Sequence, residues 1–406
     1  MVVVVKKERK IETVIANAEI DRAIEARNAD MIDLRRDLHR HPELGFQEHR
    51  TAGIVAERLQ AMNLDAVQTG IGRTGVVGLL RGGKPGKTLL VRADMDGLPI
   101  VEEPESEYKS LNHGVMHACG HDGHVSIALA VASLMASHRD QIAGTVKFAF
   151  QPAEEIVSGA KPMIDDGVME NPHVDAAIGL HLWNNSPVGI VAMKVGASMA
   201  NVDNIILKIR GKGGHGSQPE KAIDSIAAAA YVVTTIQTIV SREVSPADPA
   251  VISFGTINGG FISNAIAPEV TLTGTVRSFD MALRNRMIER IEEIARGVAK
   301  SLRCEIDFKV SYSCPAVVND SGMVAHVRQS AIDILGESSV FEMPPAMGSD
   351  DMALFLQAAP GCYFIVGAAQ PSREVFPHHH PGFDFDERAM AIGARTMARA
   401  AFDYLK

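Results

Sequence analysis

Apolar and polar positions along this chain follow two different textures. Thr88–Ala93 (TLLVRA), Thr145–Phe150 (TVKFAF), Ala176–Leu182 (AAIGLHL) and Gly361–Gly367 (GCYFIVG) are short, nearly continuous apolar runs. Runs of this length without alternation predict strands buried on both faces, as in a parallel sheet. Ile32–Leu38 and Thr51–Met62 carry helical spacing, and Val125–Ser137 is helix-like and apolar throughout. Strands interleaved with helices predict an α/β fold, a mostly parallel sheet flanked by helices.

From about Met199 the texture changes. Val202–Arg210 reads as a strand with one exposed face, Ala222–Val240 and Met281–Leu302 as helices, and Val251–Ile257, Val270–Val276 and Glu305–Ser311 as further strands. Strand-helix-strand-strand-helix-strand is the order of a ferredoxin-like α+β unit. Because it interrupts the α/β pattern, it is read as an inserted domain. The expected organisation is an amino-terminal extension over 1–25, a first domain over 26–198 and 313–406, and the insertion over 199–312.

Composition narrows the function classes. Of 406 residues 46% are hydrophobic and 22% charged, a balance that excludes a disordered or collagen-like chain. The net charge of −9 offers no basic footprint for nucleic acid. The most apolar helical stretches, Ile127–Met135 and Ile226–Val233, fall short of the roughly 18 residues of a membrane span. The MVVVV start precedes Lys6, Lys7, Arg9 and Lys10, the reverse of a secretory signal's order. With four cysteines and no CxxC, a reducing, cytoplasmic compartment is expected.

The candidate chemistry lies where the α/β strands end. Thr88–Ala93 runs into Asp94 and Asp96, and Thr145–Phe150 into Glu154 and Glu155. Ala176–Leu182 carries His181 near its end, with Trp183, Asn184 and Asn185 following. After Gly361–Gly367 a loop delivers His378, His379 and His380. Parallel sheets bind ligands outside the carboxyl ends of their strands, so these groups are expected to converge on one site. The densest segment, His117–His124 (HACGHDGH), places Cys119 and His121 two apart, where both can face one point. Thiolate, imidazole and carboxylate form the ligand set of zinc and related divalent ions. Past Pro152 the chain is expected to have left its strand, so one of Glu154 and Glu155 can bind metal while the other faces a substrate water.

Two patterns are set aside. Gly70, Gly72 and Gly75 match GxGxxG, but Val76–Leu80 reads as a strand, so a hairpin turn is expected and not a dinucleotide site. His41 and His49 form no HExxH pair, and no nearby GxSxG supports a serine hydrolase.

Seven stretches carry a family resemblance: Leu34–Glu48, Val91–Pro99, Met116–His124, Phe150–Glu155, Gly179–Asn184, Gly211–Pro219 and His379–Glu387. Together, and in this order, they resemble the metal-dependent amidohydrolase and peptidase family of aminoacylases, hippurate hydrolases, N-acetyldiaminopimelate deacetylases and indole-acetyl-amino-acid hydrolases. The resemblance implies a catalytic α/β domain with an inserted lid that mediates dimerisation. It implies two divalent ions, zinc, manganese or cobalt, on Cys119, His121, Glu155, His181 and His379. The family's His-x-Pro pattern selects His379 over His378 and His380. Glu154 is implied as general base, Asp96 as the carboxylate orienting the metal centre, and His215 as a lid residue reaching the neighbouring subunit's site. Asn264 and Arg277 are weaker candidates for gripping a substrate carboxylate; a structural salt bridge suits Arg277 nearly as well. The implied reaction is hydrolysis of the amide of a small N-acyl amino acid by a metal-activated water. The alternatives are a dipeptidase or carboxypeptidase on the same fold, or a catalytically silent metal-bound binding protein. Where the family has Gly-Ser-Glu-Asp-Phe, this chain has Gly348, Ser349, Asp350, Asp351 and Met352, one methylene shorter at Asp350.

Overall fold

The four apolar runs become four central strands of an eight-stranded sheet. The computed structural model describes residues 15–103, 105–371 and 374–406. The sheet runs in the order Ala66–Ile71, Gly75–Arg81, Ala143–Gln151, Lys84–Asp94, Ala176–Pro187, Gly361–Ala369, Val191–Met193, Val340–Glu342. The central four strands are mutually parallel. Antiparallel pairs join Gly75–Arg81 and Ala66–Ile71 at one side and Val191–Met193 at the other. Leu89, Leu90 and Val91 are fully buried, which explains the unbroken apolar run. Each such burial contributes about 1.5–3 kcal/mol relative to exposure. The helices His121–Ser137 and Arg388–Tyr404 pack together and cover the sheet with Ile127, Val131, Ala394 and Ala398.

The glycine-rich decoy resolves as a hairpin. Ala66–Ile71 pairs antiparallel with Gly75–Arg81, and the turn between them holds Gly72 and Arg73 in the left-handed region. Asn17–Glu25 is a helix with Ile20 and Ile24 buried, although no role was expected of the extension. The MVVVV start lies outside the described residues.

Contacts divide the chain into two units. The first takes in residues up to Val195 with Asn319–Met343 and Phe355–Lys406; the second is Gly196–Val318 with Pro344–Leu354. The second unit has a four-stranded antiparallel sheet ordered Ala250–Gly259, Glu269–Ser278, Asn201–Arg210, Glu305–Cys314. Its helices Ser225–Thr238 and Met281–Ser301 bury Val232, Ile236, Met287 and Ile291 in a core of their own. The helix read over Ala222–Val240 is shorter. Asp224 caps it by accepting the Ile226 and Ala227 N–H groups, and a π turn follows over Ile239–Glu243.

Candidate metal centre

Backbone turns past the strand ends bring the site together. Lys84–Asp94 ends on Asp94, and Asp96 follows two residues later. Ala143–Gln151 gives way to Pro152 and to Ala153, a non-glycine residue at φ 52°. That turn lets the adjacent Glu154 and Glu155 leave the strand's alternation. Asp96 holds them in place: its Oδ1 accepts the Glu154 N–H at 3.0 Å and its Oδ2 the Glu155 N–H at 3.1 Å. Gly120, at φ 90°, turns the chain from Cys119 into the helix that His121 opens. His181 lies within a strand and not at its end. Ala176–Pro187 continues because Gly361–Ala369 offers an edge that pairs as far as Pro187, so Trp183 and Asn184 are strand residues too.

The side chains converge within the first unit. Cys119 Sγ lies 3.4 Å from His181 Nε2. His121 Nε2 is 3.8 Å from Glu155 Oε1, 3.9 Å from Glu154 Oε2 and 3.7 Å from Asp94 Oδ2. His379 Nε2 lies 3.3 Å from Glu155 Oε2. Donor atoms within 4.8 Å of one another form overlapping groups: Cys119, His121 and His181; Cys119, Glu155 and His379; His121, Glu154 and Glu155.

Tautomers separate possible ligands from supports. His121 Nδ1 is 2.9 Å from the Asp96 carbonyl and His181 Nδ1 is 2.7 Å from the Leu182 carbonyl, so each Nδ1 carries the proton. Each Nε2 is thereby turned into the cluster, and that of His121 is buried without a hydrogen-bond partner. This is how metal-binding histidines are oriented. His124 differs: its Nδ1 meets Asp94 at 2.6 Å and its Nε2 accepts the Leu182 N–H at 2.9 Å, leaving no nitrogen for an ion. His117 packs near His39, with burial lowering its pKa to about 4. Of the other two loop histidines, His378 Nε2 bonds the Leu182 carbonyl at 3.0 Å and His380 Nδ1 accepts the Gly382 N–H at 2.9 Å.

The cluster is strongly negative. Burial alone depresses His121, yet Asp94, Asp96 and Glu155 push it up to about 10. Burial opposes the charge of Asp94, but Arg92, His121 and His124 hold that carboxyl well below the usual range. His181 is kept neutral by burial and by the neighbouring histidines. A ring of thiol, imidazole and carboxylate groups, buried except at the exposed His379, around an orphaned nitrogen fits a divalent cation, which would balance the charge. The supports of Asp94, namely Arg92 at 2.6 Å and His124, left no trace in the sequence beyond their closeness to the motifs.

The second unit carries the remaining candidates. His215 is exposed on a two-residue strand pairing Gly214–His215 with Ala265–Ile266, which sets Asn264 beside it. Arg277 donates to neutral oxygens, the Met347 carbonyl at 3.1 Å and Ser349 Oγ at 3.0 Å, and makes no ion pair among the described residues. Asp350 is buried, and its Oδ1 accepts the Met352 N–H at 2.7 Å to open the short helix Met352–Ala358.

Residues 90–403 match the model of peptidase family M20/M25/M40. An N-acyl-L-amino acid amidohydrolase of Geobacillus stearothermophilus is 42% identical over 310 residues, 76% of this chain and 83% of that protein. Hippurate hydrolase of Campylobacter jejuni is 37% identical over 92% of this chain and 96% of its own length. Thermostable carboxypeptidase 2 of Saccharolobus solfataricus is 38% identical over 92% and 95%. Among solved structures, the Bacillus subtilis YXEP protein, described as a dinuclear metal binding peptidase, superposes with a TM-score of 0.81. It is 31% identical, covering 94% of this chain and 99% of that one. The chain belongs to peptidase family M20/M25/M40 and is an amidohydrolase.

Proposed function

We propose that this protein hydrolyses the amide of N-acyl amino acids with two divalent ions held by Cys119, His121, Glu155, His181 and His379. The observation that carries the reading is the pair of histidines, His121 and His181, with Nδ1 tied to backbone carbonyls and Nε2 turned toward Cys119 and the glutamates. The donor groups overlap at Cys119, His121 and Glu155, and five proposed ligands exceed the four of one tetrahedral zinc, which supports two ions over one. Zinc suits the thiolate, and manganese or cobalt the carboxylates. When bound, the ions supply Lewis-acid polarisation of the acyl carbonyl and of the attacking water. Glu154, held by Asp96, takes a proton from that water as its oxygen adds to the carbonyl carbon. The same proton then passes to the amide nitrogen, the C–N bond breaks, and a carboxylate and a free amino acid leave. His215 contributes a donor to the oxyanion, and Asn264 and Arg277 receive the substrate carboxylate.

A carboxypeptidase reading stands beside it because two relatives carry that name. Turnover of acetyl, benzoyl and indole-acetyl amino acids by zinc-, manganese- or cobalt-loaded protein should exceed turnover of amino-terminally blocked dipeptides. The reverse order would favour the peptidase, and no metal-dependent turnover of either would favour a silent binding protein. No described helix is long and apolar enough to cross a membrane. None of the four cysteines forms a disulfide, and a reducing, cytoplasmic compartment is proposed from the cysteine pattern of the sequence.

The second unit is proposed as a lid that dimerises and presents His215 to the partner subunit. Mixing His215→Ala with Glu154→Gln protein tests this. With supply across the dimer, a mixed pair has one whole site, and random pairing should restore about a quarter of wild-type activity. Verified subunit exchange without recovery would discard the trans arrangement.

A further inference from the structure

We propose that Glu48 is a positioning residue for the Glu154–Glu155 turn, acting through the Ala153 peptide. The inference rests on the reading of Glu154 as base. Glu48 immediately precedes the helix His49–Ala61, where a side chain ordinarily accepts the helix's first N–H groups. It does not do so here. Glu43 takes that task, accepting the Arg50 and Thr51 N–H groups at 2.9 Å each. Glu48 instead turns inward, fully buried, where Oε1 accepts the Ala153 N–H at 2.8 Å and Oε2 accepts the Thr74 hydroxyl at 2.5 Å.

With the two bonds from Asp96, three successive N–H groups, those of Ala153, Glu154 and Glu155, are received by buried carboxylates from two distant segments. Ala153 needs such holding, because its φ of 52° is a region that L-residues rarely adopt. Gly45 closes the same contact from below: a Cβ there would stand 3.1 Å from the Ala153 Cα and Cβ. A buried carboxylate is costly, and an apolar residue of similar volume would fill the space without that cost. What only an acceptor at this point provides is the direction of the Ala153 N–H, and hence the aim of the next two side chains. Burial raises the Glu48 carboxyl above the usual range against the lowering influence of Thr74 and Ala153, so a neutral amide is a close stand-in.

The test uses metal-loaded Glu48→Leu and Glu48→Gln proteins with an N-acyl amino acid that the wild type cleaves. Leucine keeps volume and removes both acceptors, so kcat should fall about 10- to 10²-fold, as for a small misplacement of a reacting group. KM should move less than about 3-fold, and metal content should hold. Glutamine keeps one acceptor oxygen and should recover kcat to within about 5-fold of wild type. Hydrogen exchange gives a second readout. In the wild type the Ala153 amide should exchange as slowly as those of the preceding strand, and in Glu48→Leu at least about 10-fold faster, with strand amides unchanged. A folded leucine variant with wild-type kcat overturns the proposal. Equal loss in both variants alongside equal loss of thermal stability also overturns it, since that marks a packing role. Loop-like exchange at Ala153 in the wild type overturns it even should the leucine variant not fold. Failure of the underlying reading is distinct: Glu154→Gln itself would then remain active.

Discussion

Glu154→Gln is expected to lower turnover of an N-acyl amino acid by about 10²–10⁴-fold. Glutamine matches the shape of glutamate but cannot take a proton from water or return it to the departing nitrogen. The Glu154 carboxylate stands 3.9 Å from His121 Nε2, the outermost of that nitrogen's three acidic neighbours, and its backbone is fixed through Asp96. Loss of the charge should therefore leave the turn and the five proposed ligands in place. Metal content and KM are expected to stay near wild type, while kcat and kcat/KM fall together, the pattern of an interaction made only in the transition state. Retained activity with both ions bound would remove Glu154 from the mechanism. Glu155→Gln should differ in kind, losing metal first and activity as a consequence.

Removing the metal should cost at least about 10³-fold in activity, the equivalent of several kcal/mol of charge stabilisation. Cys119 reports the same event without turnover. A coordinated thiolate is shielded from alkylation and an uncoordinated one is not, so chelation should expose Cys119 to a thiol reagent and zinc should restore its protection. Cys362 supplies the contrast, since burial pushes its thiol up from the ordinary value and it belongs to no donor cluster among the described residues. Cys304 and Cys314 should be equally indifferent to chelator. Were Cys119 to react at one rate with and without metal, it would not be a ligand.

Periodicity and residue type carried much of this protein. The buried strands were legible because a strand covered on both faces has no polar alternation, and TLLVRA and GCYFIVG have none. The ferredoxin-like unit was legible because its two central strands, Asn201–Arg210 and Glu269–Ser278, largely keep their alternation and its helices their stripe. The convergence of Asp96, Glu154, Glu155, His181 and the 378–380 loop followed from one rule of parallel sheets, whereas Cys119 stood out by the density of its own segment and His379 by the family pattern.

Long-range geometry decided the rest. The sequence holds three histidines in HACGHDGH, and spacing alone does not separate His117 from His121, since both stand two residues from Cys119. The Asp96 carbonyl, 25 residues away in sequence, holds one nitrogen of His121, while Asp94 and Leu182 occupy both nitrogens of His124. Sequence reading likewise ended the His181 strand at Leu182, because the pairing that extends it to Pro187 belongs to a neighbour nearly two hundred residues on. Glu48 stands immediately before a helix, yet its side chain is the acceptor for Ala153, 105 residues away. A hydrogen bond between distant segments leaves no period in either one. Burial and backbone period are properties of a segment and can be read along it, whereas the direction of a lone pair is set by whatever the fold brings alongside.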